Sequence, residues 1–125
     1  MALPAFGVIE QERLLSVDEL FVVMKDKFPV TPGHTLIIPR RAVLRFSDLN
    51  AAERVRLLEL VDWTQRHLST CTSVPEGFNL GVNDGKAAGQ TIAQFHFHVI
   101  PRRNGDVADP RGGVRWVVPE KAKYW

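Results

Sequence analysis

Apolar positions along this chain fall into runs, into a helical period and into strict alternation, and each pattern predicts a different element. Leu14-Leu15-Ser16-Val17 and Leu20–Met24 are two apolar runs separated by Asp18-Glu19, which reads as a hairpin of two strands. Residues 25–34, KDKFPVTPGH, hold two prolines and a glycine and read as a loop. The β-rich run 34-HTLIIP-39 follows as a strand. From Asn50 to about Ser69 the pattern becomes helical: Leu57, Val61, Thr64 and Leu68 share one side, and Glu59, Asp62 and Arg66 the other. Asn50 followed three residues later by Glu53 has the form of a capping box, so this stretch is expected as an amphipathic helix laid on a sheet.

Beyond it, Pro75-Glu76-Gly77 reads as a turn, 78-FNLGVN-83 as a strand and 84-DGKAAGQ-90 as a glycine-rich loop. The segment 94-QFHFHVI-100 then alternates polar with apolar. In a strand, Gln94, His96 and His98 share one face and Phe95, Phe97 and Val99 the other. Neighbours in such a row stand roughly 6.5 Å apart. The apolar row is expected against the helix. Residues 104–125 are rich in glycine and proline, with one short β-like piece, 114-VRWVV-118. They read as an irregular C-terminal tail of a single domain spanning 1–125, packed along the domain or along a partner subunit. Strands outnumber the helix and short turns join several of them. The expected fold class is α+β, with a mainly antiparallel sheet of about five strands and one long helix.

Composition narrows the classes. A chain of 125 residues with 45% hydrophobic and 24% charged residues suits one soluble core. A net charge of +2 is too small to suggest a duplex nucleic-acid binder. The one cysteine, Cys71, allows no intrachain disulfide, points to a reducing compartment and reads as a small apolar residue near a helix end. The first residues lack the basic and apolar regions of a secretion signal, and no apolar run approaches the ~20 residues of a membrane helix. The expectation is a cytoplasmic protein without membrane contact.

Two of four histidines one step apart admit three readings: a solvent-facing pair, a metal site completed by His34, or nucleophilic catalysis by one imidazole beside a second. Gly85, Gly89 and Gln90 lie just upstream, where glycines let backbone N–H groups approach an anion and an amide adds a donor. Together they favour a phosphate-transfer site. Plainer readings stand beside this one. Asp26 would only hold its loop, Asn83-Asp84-Gly85 only turn the chain, and His34 only start a strand. His67 reads as helix surface; Arg40, Arg41, Arg102 and Arg103 as solvated charge; and Trp116 and Trp125 as packing for the tail.

Four blocks in order resemble the histidine triad (HIT) family of nucleotide hydrolases and transferases. They are 26-DKFPVTPGH-34, 35-TLIIPR-40, Ala88-Gly89-Gln90 and 94-QFHFHVI-100. The tail 105-GDVADPRGGVRWVVP-119 resembles that of a bacterial subgroup likened to diadenosine polyphosphate hydrolases. The resemblance implies hydrolysis at the α-phosphate of dinucleoside polyphosphates or nucleoside phosphoramidates. His96 would be the nucleophile, His98 would assist the leaving group, and His34 would stand at the site. Gln90, Asn83 and Gly89 would lie on the phosphate side, Asp26 would accept from ribose hydroxyls, and Phe21 or Ile37 would wall the base. It also implies a homodimer, no protein-held metal or other cofactor, and Mg²⁺ only as a companion of a polyphosphate. Gln94 stands where the motif has its first histidine, so a proton-relay role there is lost, while the backbone carbonyl at 94 could still hold the His96 ring. That departure keeps two alternatives open: a nucleotide-binding module with little turnover, and a metalloprotein using His34, His96 and His98.

Overall fold

A computed structural model describes residues 1–71 and 73–125 of the protein. The chain opens with a short hairpin that the pattern did not announce, β1 (Ala2–Leu3) paired with β2 (Gly7–Val8). The main sheet contains β3 (Leu14–Val17), β4 (Phe21–Lys25), β5 (Thr35–Pro39), β6 (Gly77–Gly81) and β7 (Phe97–Arg102). Its order is β3-β4-β5-β7-β6, and every pairing is antiparallel. The one long helix, α1 (Ala51–Leu68), completes the expected α+β architecture.

Helix α1 starts where its capping residues dictate. Asn50 Oδ1 accepts from the Glu53 N–H at 2.9 Å, and Glu53 Oε1 accepts from the Asn50 N–H at 2.8 Å. Glu53 is buried, and Arg41 neutralises it with a contact of 2.7 Å. The face carrying Leu57, Leu60 and Leu68 packs on Phe21, Val23, Ile37, Phe95 and Val99. The opposite sheet face, with Val22, Met24, Leu36 and Ile38, is covered by Leu3 and Ile9 of the N-terminal hairpin. β4 and β5 are therefore buried on both faces, which explains their unbroken apolar runs.

Several boundaries differ from expectation. The strand expected over 94–100 begins at Phe97, because the amides before it bond elsewhere: Gln94 N–H to Ile92 C=O and Phe95 N–H to Val43 C=O. The β-like piece 114–118 is helical instead. A 3₁₀ turn covers Gly113–Val117 and a short α2 (Pro119–Ala122) follows. This tail packs on itself, with the Trp116 indole N–H donating to Arg111 C=O at 2.9 Å and the Arg111 guanidinium 4.5 Å above the Trp125 ring. Cys71 is exposed rather than packed.

Candidate active site

The loop between β4 and β5 folds back on itself and delivers His34. Asp26 N–H donates to His34 C=O at 2.9 Å. Gly33 has φ +94°, and a Cβ there would lie 3.2 Å from the Pro101 ring, so both conformation and space call for glycine. β5 then runs beside β7 with Leu36 opposite His98. This register brings the two rings together, His34 Nε2 lying 2.9 Å from His98 Nδ1.

The hydrogen bonds settle where the protons sit. Val30 N–H donates to His34 Nδ1 at 3.1 Å, so that nitrogen is an acceptor and His34 carries its proton on Nε2. The Nε2–H faces His98 Nδ1, with Asp26 Oδ2 at 3.3 Å. His98 Nδ1 must then accept, which leaves the proton of His98 on Nε2. That nitrogen is buried and has no hydrogen-bond partner among the described residues. Burial lowers His98 to about 4, and the neighbouring His96 and His34 rings push the same way, so the ring is neutral at pH 7. Burial likewise lowers His34, opposed by the charge of Asp26.

His96 has the opposite arrangement. Its Nδ1 lies 2.9 Å from Gln94 C=O. A carbonyl only accepts, so Nδ1 carries the proton and the Nε2 lone pair is left free. The rings of His96 and His98 stand 5.1 Å apart at 62°. The two residues together offer a lone pair on His96 and an N–H on His98, a pairing that can serve displacement at phosphorus.

That cleft has a volume of about 400 Å³, and Asp26, Asn83, Gly89, His96 and His98 all line it. Four other expected residues are placed differently. Gln90 is taken up by its own loop: Oε1 accepts from Gly85 N–H at 2.9 Å, and Nε2 donates to Leu44 C=O and Ile92 C=O. The loop amides of Gly85, Ala88, Gly89 and Gln90 are also bonded within it, so they form no anion cradle. Gln94 is fully buried and does not line the cleft. Phe21 and Ile37 lie in the core under α1, not on the wall of the cleft.

The wall is built from residues the pattern passed over. Phe6 and Val8 from the hairpin, Phe28, Leu36 and Ile92 are its apolar part, and Glu10, Arg13, Lys27 and Thr91 its polar part. Phe6 stands edge-on to His96, centroids 5.3 Å apart. A short apolar hairpin ahead of the first long run was the available signal.

A HIT domain model matches residues 9–105. The chain belongs to the HIT family. It is 40% identical over 81 residues to a bis(5'-nucleosyl)-tetraphosphatase [asymmetrical] of Schizosaccharomyces pombe, covering 65% of this chain and 44% of that protein. The crystal structure of the Caenorhabditis elegans nitrilase and fragile histidine triad fusion protein superposes with a TM-score of 0.77 and 33% identity, over 96% of this chain and 28% of that one. A zinc-bound histidine triad family protein from Mycobacterium smegmatis superposes with a TM-score of 0.71 and 33% identity, over 85% and 71%. The chain spans less than half the length of the yeast protein.

Among the described residues of this HIT protein, the group that could hold a metal ion is Asp26, His34 and His98, whose ligand atoms lie within 4.8 Å of one another. Asp26 thus takes the place in that group that the sequence reading gave to His96, whose Nδ1 is held by Gln94 C=O.

Proposed function

We propose that this HIT protein is a nucleotide hydrolase that cleaves at the α-phosphate of dinucleoside polyphosphates, or of nucleoside phosphoramidates, through a nucleotidyl-histidine. The observation that carries the reading is the opposite protonation of His96 and His98 at one cleft. The His96 Nε2 lone pair attacks the α-phosphorus as the bond to the leaving group breaks. The positive charge gained by the ring is met by Gln94 C=O. His98 Nε2–H donates to the bridging atom of the leaving group, and a polyphosphate departs as its anion. Water then attacks the same phosphorus and the P–Nε2 bond breaks. His96 recovers its lone pair and the water's proton goes to solvent. Asp26, at the rim beside His34, accepts from the ribose. Asn83 and Thr91, whose side chains make no hydrogen bond among the described residues, contact phosphate, and Lys27 faces the polyphosphate.

This chemistry takes no protein-held metal, and any Mg²⁺ arrives with the polyphosphate. The tail resembles that of the diadenosine polyphosphate subgroup, and the relative from Schizosaccharomyces pombe is named a tetraphosphatase, so this substrate class comes first. The same reading includes a homodimer, for which the open edge of β6 and the exposed Val117 and Tyr124 offer apolar surface, and a cytoplasmic setting. No helix among the described residues is long and apolar enough to cross a membrane.

A second reading is zinc at Asp26, His34 and His98, supported by that cluster and by the zinc-bound relative. An ion there would occupy the His98 Nδ1 lone pair and break its hydrogen bond with His34. The test of both is turnover of diadenosine tetraphosphate and adenosine phosphoramidate in EDTA by the wild type and by His96→Ala. Release of AMP by the wild type alone supports the hydrolase. Silence in EDTA that added zinc relieves supports the metal reading. Silence throughout, with nucleotide still bound, leaves a binding module.

A further inference from the structure

We propose that Gln94 is a positioning residue that holds the N-terminal hairpin as a wall of the cleft, through a side chain that no change of pH can protonate. The proposal rests on the reading of this cleft as a nucleotide site.

The Gln94 side chain joins two segments distant in sequence. Oε1 accepts from Ala5 N–H at 3.1 Å, and Nε2 donates to Pro39 C=O at 2.8 Å. Among the described residues, the bond to Ala5 is the single hydrogen bond that ties residues 1–9 to the rest of the protein. Otherwise the hairpin is held by the burial of Leu3 and Ile9. Apolar burial is non-directional, so it fixes the hairpin on the sheet without fixing its orientation. The Gln94 bond supplies that orientation. It acts on Ala5, and the next residue is Phe6, edge-on to the nucleophile. Ala5, Phe6 and Val8 all line the cleft. A continuous path therefore runs from β5 through Gln94 to Phe6 and His96, and it closes on itself because Gln94 C=O also holds the His96 ring.

The site asks for one acceptor and one donor on the same side chain. An amide supplies both. A neutral imidazole also supplies both, but once protonated it offers two donors and sets an N–H against the Ala5 N–H. Nothing nearby offsets that change. Residues 1–9 bring no titratable side chain, only the terminal amine. On the β5 side, Arg40 is exposed and bonded to Asp18 C=O, and Arg41 is paired with Glu53. On its own segment, His96 is engaged through Nδ1. Glutamine at 94 thus keeps the hairpin docked across pH, which the motif's histidine would not.

The test compares wild type, Gln94→Met, Gln94→His, Phe6→Ala and the double variant of Gln94→Met with Phe6→Ala. Two readouts are used: amide hydrogen exchange of the peptide covering residues 1–9, and the separate KM and kcat for the dinucleotide. Gln94→Met is expected to speed hairpin exchange by ~10-fold or more. It should raise KM about 10-fold and leave kcat within about 3-fold, because the backbone carbonyl that holds His96 remains. Gln94→His is expected to match wild type near pH 8 and to resemble Gln94→Met near pH 5.5, each compared with wild type at the same pH. Phe6→Ala should raise KM by a similar factor, and the double variant no further. Hairpin exchange in Gln94→Met equal to wild type overturns the proposal, as do multiplying KM effects in the double variant or a pH-independent Gln94→His. If Gln94→Met does not fold, Gln94→His carries the test. If no nucleotide is turned over, the reading of the cleft fails while the exchange readout still decides this inference.

Discussion

Two neighbouring stretches, residues 84–90 and residues 96–98, both read as phosphate chemistry, and folding treats them in opposite ways. The glycine loop is largely satisfied locally: the amides of Gly85, Ala88, Gly89 and Gln90 bond within it, and the Gln90 side chain bonds Gly85 N–H, Leu44 C=O and Ile92 C=O. The histidine pair, which lines the cleft, is left with a free lone pair and an N–H that has no partner among the described residues. Chemistry belongs to the groups that local hydrogen bonding leaves over, and residue type alone does not tell which those are. The loop becomes a flank of the cleft, and the pair is the candidate reacting centre.

The comparison can be broken most sharply at His96. His96→Ala is expected to lower kcat by ~10⁴-fold or more while the far-ultraviolet circular dichroism stays native, as when a nucleophile is removed. Activity retained within 10-fold would place the lone pair elsewhere. His98→Ala should cost about 10²–10⁴-fold in kcat, the range of one general acid, and the loss should be larger for a phosphoramidate, whose nitrogen leaving group needs a proton. At the loop the effect moves from rate to stability. Gln90→Ala removes three hydrogen bonds and is expected to lower stability by about 1–3 kcal/mol in urea unfolding, with kcat changed less than about 3-fold. A large kcat loss at native stability would mean that Gln90 does reach substrate.

Acid sharpens the same contrast. His98 is neutral when folded, with its value near 4, whereas an unfolded histidine titrates near ~6.5. Below the unfolded value the unfolded chain binds the proton that the folded site refuses. The stability His98 contributes is therefore whole above about pH 7 and is lost as pH falls from ~6.5 toward 4. His34 acts in the same direction. Thermal unfolding should show a falling midpoint across that window, and His98→Ala should flatten it. The smallest effect belongs to Lys27→Ala. Lys27 is exposed and only 3.8 Å from Glu10, so KM for a polyphosphate should rise a few-fold, less at high salt.

Much of the fold was legible because burial writes a period into the chain. α1, its cap and the hairpin of β3 and β4 follow from apolar spacing and from Asn50 with Glu53. The placement of His96 and His98 opposite the apolar row was legible for the same reason, since Phe95 and Val99 do enter the core under α1. The N-terminal hairpin was not legible. Its strands are two residues each and take their meaning from covering Val22, Met24, Leu36 and Ile38. β4 and β5 carried the hint, since strands apolar at every position need a cover on both faces. The start of β7 was also hidden, because alternation continues through Gln94–His96 although the Gln94 and Phe95 amides bond outside the ladder. Gln90 and Gln94 mark the clearest limit. Both are amides near the motif, and only tertiary partners such as Leu44, Ala5 and Pro39 tell that each is internally engaged.

If His96 is the nucleophile, its free lone pair becomes bonded to phosphorus during turnover. The most direct measurement mixes excess protein with diadenosine tetraphosphate for a single turnover, quenches in base and maps the modified peptide by mass. An adenylyl group is expected on His96, formed before AMP is released and absent from His96→Ala. AMP produced at the full single-turnover rate with no adduct on any histidine would contradict it and point to direct attack by water.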